Sequence, residues 1–262
     1  MNNLLKMYTK RSFLRYLALK FMYVKKTEEE LGFMEEGGKI LGRILTAIEK
    51  KVAPGISTLE LEEEARRLMK EFGATPAFLG YTPHGARRAY PAALCVSINE
   101  EVVHGIPNEH PKVLQEGDVV SIDTGICYKG LFTDSARTVP VGKIDKTSRL
   151  LIKATKEALL ESIKMARVGN KTGDLGFAIA EVAKKYNFSP AEDLGGHGVG
   201  KTPHEDPFLP NFSARGQGVI LEEGMTLAIE PMLCEGSGKV KMLSDGYTFV
   251  TRDKKRSAHF EH

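Results

Sequence analysis

Apolar positions in this chain fall into two distinct rhythms. Ile40, Leu41, Ile44, Leu45, Ile48 and Val52 recur at helical spacing and stop at Pro54-Gly55. Ser57 with Glu60 then makes a capping box for a second helix that carries Leu61, Ala65, Leu68 and Phe72 on one face. The same reading predicts helices from about Lys146 to Arg167 and from about Thr172 to Tyr186. The other rhythm is a β-branched, apolar run, Asp118-Val-Val-Ser-Ile-Asp-Thr-Gly-Ile-Cys127, which reads as a buried strand. Tyr128-Lys129-Gly130 supplies a turn, and Leu131 to Val139 the returning strand of a hairpin. The fold class is α/β (α+β).

An internal repeat sharpens this picture. Shifting the chain by 114 positions aligns Gly55 with Gly169, Thr58 with Thr172, Leu61 with Leu175, Lys70 with Lys184, Phe72 with Tyr186 and Pro76 with Pro190. Two similar α/β halves around one central site are the expectation. No Pro/Ser-rich linker divides the 262 residues, so residues 23–262 read as one catalytic domain.

Charge matters only once it is divided. The formal net charge is +3, yet residues 1–27 hold seven basic side chains and no acidic one, which leaves the rest of the chain acidic. The body is therefore not a basic nucleic-acid binder, and no DNA partner is expected. Residues 1–22 form a basic extension. Its mix of leucines, aromatics and cations suits an amphipathic helix touching ribosomal RNA, an anionic membrane or an import receptor, while Met22 as the natural start is the favoured reading. Charges interrupt this segment too often for stable membrane insertion. Cys95, Cys127 and Cys234 are odd in number and far apart, so neither a disulfide framework nor a CxxC zinc site is indicated, and a reducing cytoplasm is the expected compartment.

The candidate chemistry is an ordered set of five metal-ligand types: Asp123, Asp134, His197, Glu230 and Glu261. Four carboxylates and one imidazole carry a formal charge of about −4, which balances two divalent cations, a standard device for making hydroxide near neutral pH. Asp123 interrupts a buried strand, where a carboxylate must be paired, protonated or metal-bound. With an even loop in the hairpin, positions whose numbers sum to an odd value share a face, so Asp123 and Asp134 point the same way, and like charges so close need a cation between them. His197 lies in the Gly-rich loop Gly195-Gly-His-Gly-Val-Gly200, and Glu230 ends the apolar run Met225-Thr-Leu-Ala-Ile229 before Pro231, projecting from the end of a strand. Gly195 to Thr202 also satisfies the G-x-x-x-x-G-K-[ST] pattern of a P-loop NTPase. The polar stretch before it and Pro203 and Pro207 after it deny that motif its strand and helix.

Ser97-Ile-Asn-Glu-Glu-Val-Val-His-Gly-Ile-Pro107, Ile122-Asp-Thr-Gly125, Gly196-His-Gly-Val-Gly200, Pro203-His-Glu-Asp-Pro207, Ile229-Glu-Pro-Met232 and Ser257-Ala-His-Phe-Glu-His262 together resemble the signatures of type I methionine aminopeptidases, in that family's order, from about Tyr23 to the last residue. The resemblance implies a pita-bread fold, two divalent ions (Co, Mn, Fe or Zn), and removal of the initiator methionine from new polypeptides by a metal-activated water. It implies that Asp123 chelates the first metal, that His197 and Glu230 hold the second, and that Asp134 and Glu261 bridge the pair. Glu230 would relay the proton of the attacking water, His104 would contact the nitrogen beyond the methionine, and His204 the carbonyl or developing oxyanion. Phe78, Tyr81, Tyr90, Cys95 and Tyr247 match the methionine pocket, although by themselves such residues read as ordinary core. Nascent-chain N-termini beginning with Met are the implied partners, the ribosome a further candidate, and a monomer the expected state.

Two other readings stay open. A proline-specific aminopeptidase of the same fold shares the metal set but carries a long extra N-terminal domain, and a non-catalytic pita-bread binding protein would lack ligands that are present here. Three departures from the resemblance stand out. The sequence ends one residue after Glu261, without the further strand that relatives have, which predicts a loosely held ligand. The loop Tyr81 to Tyr90 is about six residues longer than the resemblance leads one to expect, with Arg87 and Arg88 near the path of the second and third substrate residues. Pro203 stands where relatives carry a bulky side chain.

Overall fold

The computed structural model describes residues 23–83 and 85–262. The expectations for residues 1–22 lie outside the described residues. Among the described residues four helices form: α1 (Glu28–Lys51), α2 (Thr58–Glu71), α3 (Lys146–Met165) and α4 (Thr172–Tyr186). Thirteen strands accompany them among these residues: β1 (Thr75–Pro76), β2 (Cys95–Ile98), β3 (Glu101–Val103), β4 (Val119–Tyr128), β5 (Leu131–Pro140), β6 (Ser189–Pro190), β7 (Gly195–Gly198), β8 (Glu205–Pro210), β9 (Leu227–Ala228), β10 (Met232–Cys234), β11 (Val240–Met242), β12 (Phe249–Thr251) and β13 (Ser257–His259).

Local chemistry sets the helix limits. Ser57 caps α2, accepting the Glu60 N–H at 3.2 Å while the Glu60 carboxylate accepts the Ser57 N–H at 2.8 Å. α1 begins with the same device built from Thr27 and Glu30. α3 starts at Asp145, whose carboxylate accepts the Ser148 N–H at 3.0 Å, and ends at Met165, two residues short of the periodic signal. The apolar stripe of α1 buries Leu41, Ile44, Leu45 and Ile48 against Val120, Ile122, Ile126 and Val139 of the β4–β5 hairpin. In the second half, α3 and α4 bury Leu151, Ala154, Ala158, Ile179, Val182 and Ala183 on Leu233 of β10 and Ala258 of β13. Each such side chain contributes roughly 1.5–3 kcal/mol on burial, which holds each helix pair to its sheet.

The 114-residue repeat survives in three dimensions. Gly55 and Gly169 both take positive φ, 93° and 90°. Ser57 bridges Val113 just as Lys171 bridges Ile220, and Pro76 and Pro190 sit in matching two-residue strands that cross the ends of β4 and β10. Two α/β halves face each other, as expected.

The hairpin that carries two candidate ligands has a two-residue turn, Lys129 and Gly130, both with positive φ, which suits the twist of the strands it joins. Asp134 pairs with Gly125 and Asp123 with Ala136, so both carboxylates stand on one face as the parity argument requires. His197 differs from the sequence reading, since it lies on strand β7 between β8 and β9 rather than in a loop. The reason is close approach: a Cβ on Gly195, Gly196 or Gly198 would lie 2.2 to 2.3 Å from a facing carbonyl oxygen of Leu209, Ala228 or Asp206. The glycines are there to let three backbones pack tightly. No helix follows the P-loop-like segment, which runs from β7 through a turn into β8.

Candidate metal centre and catalytic cavity

A single cavity of about 340 Å³ opens between the two halves. Its walls contain Phe78, Tyr81, Pro83, Tyr90, Cys95, His104, Asp123, Asp134, His197, His204, Glu230, Tyr247 and Glu261. All twelve residues singled out in the sequence thus meet in one place, drawn from four strands and the segments beside and between strands.

The carboxylates crowd the floor. Atoms of Asp134, His197 and Glu261 lie within 4.8 Å of one another. The Nε2 of His197 is 3.4 Å from Oε1 of Glu230, and Nδ1 of His197 lies 2.9 Å from the Gly198 carbonyl, an arrangement that makes Nδ1 the donor and leaves Nε2 free to ligate. Glu261 is held on both sides rather than loosely: its backbone N–H bonds Ala136 at 3.0 Å, and the following His262 exchanges backbone hydrogen bonds with Ile229.

Electrostatics then decide what the floor can hold. Burial and the neighbouring Asp134 push the Asp123 carboxyl well above its usual range, and burial lifts Asp134 itself to about 7. Glu230 and Glu261 are raised in the same way, by burial first and by their acidic neighbours second. Oδ1 of Asp123 and Oε1 of Glu261 are buried with no hydrogen-bond donor. Unsatisfied, mutually repelling carboxylate oxygens beside an imidazole are the donor set of a divalent cation site, so these residues fit a metal.

Above the floor the lining turns apolar and aromatic. Tyr90 packs edge-on against Phe78 and Tyr247, with ring centroids 6.4 and 5.0 Å away, and its hydroxyl donates to the carbonyls of Leu94 and Gly105. Cys95 pairs across the sheet with Asp123, so the sulfur-lined pocket begins where the carboxylates end. His104 has φ of 60°, a conformation that costs a non-glycine residue energy and marks functional positions. Burial, and then the nearby His197, lower its pKa to about 4, so the imidazole is neutral. His204 stands at the exposed mouth, its ring 4.3 Å from that of His197 and stacked on Tyr81 at 5.3 Å. Burial against the protein, His197 and His104 lower its pKa as well.

The sequence matches metallopeptidase family M24 over residues 32–262. The chain belongs to that family. Among M24 relatives, it is 43% identical over 240 residues to a methionine aminopeptidase of Clostridium perfringens, covering 92% of this chain and 93% of that protein. A methionine aminopeptidase of Aquifex aeolicus is 45% identical over 238 residues, covering 90% and 92%. The crystal structure of a methionine aminopeptidase from Thermotoga maritima superposes with a TM-score of 0.87 at 42% identity, over 92% of this chain and 94% of that one. A prolidase from Pyrococcus furiosus shares the fold, with a TM-score of 0.67, but is 22% identical and 63% covered. The two-halved architecture is the pita-bread fold of M24, a metallopeptidase family whose membership implies divalent-metal binding, and the carboxylate floor is the candidate site for it.

One lining residue and one residue behind the floor escaped the sequence reading. Pro83 belongs to the long loop, and no pattern marks it. His259 is buried with both ring nitrogens unpaired, and its Nε2 is 3.4 Å from Oε2 of Glu230. Period-two alternation could have found it, because His259 lies two positions before Glu261 in the sequence.

Proposed function

We propose that this chain is a type I methionine aminopeptidase, a metallo-exopeptidase that hydrolyses the bond after an N-terminal methionine. The observation that carries this reading is the single cavity in which a cation-binding carboxylate floor meets an aromatic and sulfur-lined pocket. Asp123, Asp134, His197, Glu230 and Glu261 would hold two divalent ions, of Co, Mn, Fe or Zn. Such ions supply Lewis-acid polarisation of a carbonyl and a hydroxide equivalent near neutral pH.

The remaining work falls to the protein. Phe78, Tyr81, Tyr90, Cys95 and Tyr247 enclose the flexible thioether side chain and exclude water from it. Glu230 takes a proton from the attacking water and hands it to the departing nitrogen. Neutral His104 contacts that nitrogen, and His204 donates to the oxyanion as it forms, an interaction that strengthens only in the transition state. Substrates are peptides and nascent chains that begin with Met. The ribosome, where such chains emerge, is a candidate partner. A monomer in the cytoplasm is the working state, with residues 23–262 as the catalytic domain. No helix among the described residues is long and apolar enough to cross a membrane.

The test is release of free methionine by metal-stripped protein given Mn(II) or Co(II) with Met-Ala-Ser, against N-acetylated and Pro-terminated controls. Wild type should cleave only the unblocked Met peptide, and Glu230→Gln should lose roughly 10²–10⁴-fold in kcat/KM. Cleavage of a Pro-terminated or acetylated peptide at a similar rate would refute the assignment.

A further inference from the structure

Lys26 occupies a position where lysine is rarely found. Its side chain is 1% exposed and faces the Glu205 carboxylate, 8% exposed, at 2.5 Å. The ammonium also donates to the Val24 carbonyl at 2.9 Å, and the Lys26 backbone N–H bonds Gly224 at 2.8 Å. The other oxygen of Glu205 accepts the N–H groups of Lys201 and Thr202 at 2.5 and 3.0 Å. The Thr202 hydroxyl in turn donates to the His204 carbonyl at 2.8 Å. Glu205 therefore closes the turn between β7 and β8, and Lys26 is its counter-ion. The fit is tight, because Gly200 passes beneath the lysine stem with φ of 146°, and a Cβ there would lie 2.2 Å from the Lys26 Cε. The Gly200 carbonyl accepts the Phe132 N–H at 2.7 Å, two residues before Asp134, which ties the same turn to the metal floor.

His204 is the residue beside Glu205, and among the described residues its ring nitrogens make no hydrogen bond within the protein. Its ring stacks on Tyr81 and lies against that of His197. The placement of its backbone therefore decides where the ring points.

We propose that Lys26 and Glu205 form a latch by which the segment Tyr23–Thr27 positions His204 over the catalytic cavity, Lys26 being a positioning residue that acts through Glu205. The inference rests on the reading of His204 as the oxyanion donor. Without the ammonium, Glu205 is a buried carboxylate short of its cation, and the turn relaxes toward water to hydrate it. His204 moves with the turn, and a displacement near 1 Å suffices to cost about 10²-fold in rate.

Two measurements test the latch, one of them independent of catalysis. In the metal-free protein, the imidazole ring resonances of His204, assigned by their loss in His204→Ala, should shift in Lys26→Met and return toward the wild-type position in Lys26→Arg, while those of His104 stay in place. In turnover, Lys26→Met should lower kcat by about 10- to 10²-fold with KM little changed, and should cost nothing further in a His204→Ala background. Glu205→Gln keeps an acceptor for the two N–H groups and should reproduce both effects if Lys26→Met folds poorly. An unmoved His204 ring, or an equal loss of activity with and without His204, would overturn the latch. Absence of methionine release by wild type would instead count against the aminopeptidase reading, and the ring resonances would still decide whether the latch positions His204.

Discussion

The residues of the cavity floor are set for function at the expense of stability. Asp123 is buried on a strand that would otherwise be apolar, its Oδ1 has no donor, and Asp134 repels it. A cation removes that repulsion, so metal binding and folding are coupled. Asp123→Asn keeps the shape and removes one charge. Metal-free Asp123→Asn should therefore melt at or above the temperature of metal-free wild type, yet show little of the rise in Tm that Mn(II) gives wild type. Calorimetry with and without the ion measures both, and a mutant that melts well below wild type in the metal-free state would contradict this account. Four of the five candidate ligands stand out locally in the sequence, Asp123 as an acid in a buried strand, Asp134 facing the same way across the hairpin, His197 among glycines and Glu230 before proline, whereas the place of Glu261 came from the resemblance. Phe78, Tyr90 and Tyr247 broke no local pattern. Their role as a pocket came only from resemblance, because an aromatic ring lining a cavity and one filling a core look alike in sequence.

Elements carry their own signals at their ends. The capping box of α2 and the apolar spacing of α1, α3 and α4 locate the four described helices, since caps and periodicity are local chemistry, while the start of α1 at its Thr27–Glu30 box lay ahead of the periodic signal. At the start of α3, the Ser148 backbone N–H, then its hydroxyl, and then Arg256 hold the Asp145 carboxyl well below the usual carboxylate range. A carboxyl depressed in the folded state stabilises above its unfolded pKa of about 3.9 and loses that contribution as pH falls through the folded value. Asn caps a helix nearly as well, so Asp145→Asn isolates the charge. Wild type should exceed Asp145→Asn in Tm at neutral pH, and the gap should close as pH drops below about 4; thermal melts from pH 7 to pH 2 follow it. A gap that persists at acid pH would assign the effect to geometry alone. Short strands were less visible: β9 is two residues long, and β7 reads as a glycine loop because its pairing depends on carbonyls brought from Leu209, Ala228 and Asp206.

At the scale of the molecule, the two halves meet around a charged floor that no single half could satisfy. Asp123 and Asp134 come from the first half, His197, Glu230 and Glu261 from the second, and the backbone bridge between Glu261 and Ala136 crosses between them. A bound metal should therefore stabilise the whole chain as one unit. With free ion at about 100 times its dissociation constant, the gain is about 2.7 kcal/mol, lost on chelation and regained on adding Mn(II). A single cooperative transition that shifts in midpoint is the expected result, and two separate transitions would show that the halves melt independently.

Sequence by itself determined the α/β class, the helices, the hairpin with its two acids on one face and the twofold repeat, because each of these follows from local patterns along the chain or from their recurrence. Tertiary structure alone decided that the twelve residues share one cavity, that His259 faces Glu230, and that Lys26 reaches Glu205. Those partners lie far apart in sequence, and no local pattern records which distant segments the fold brings together.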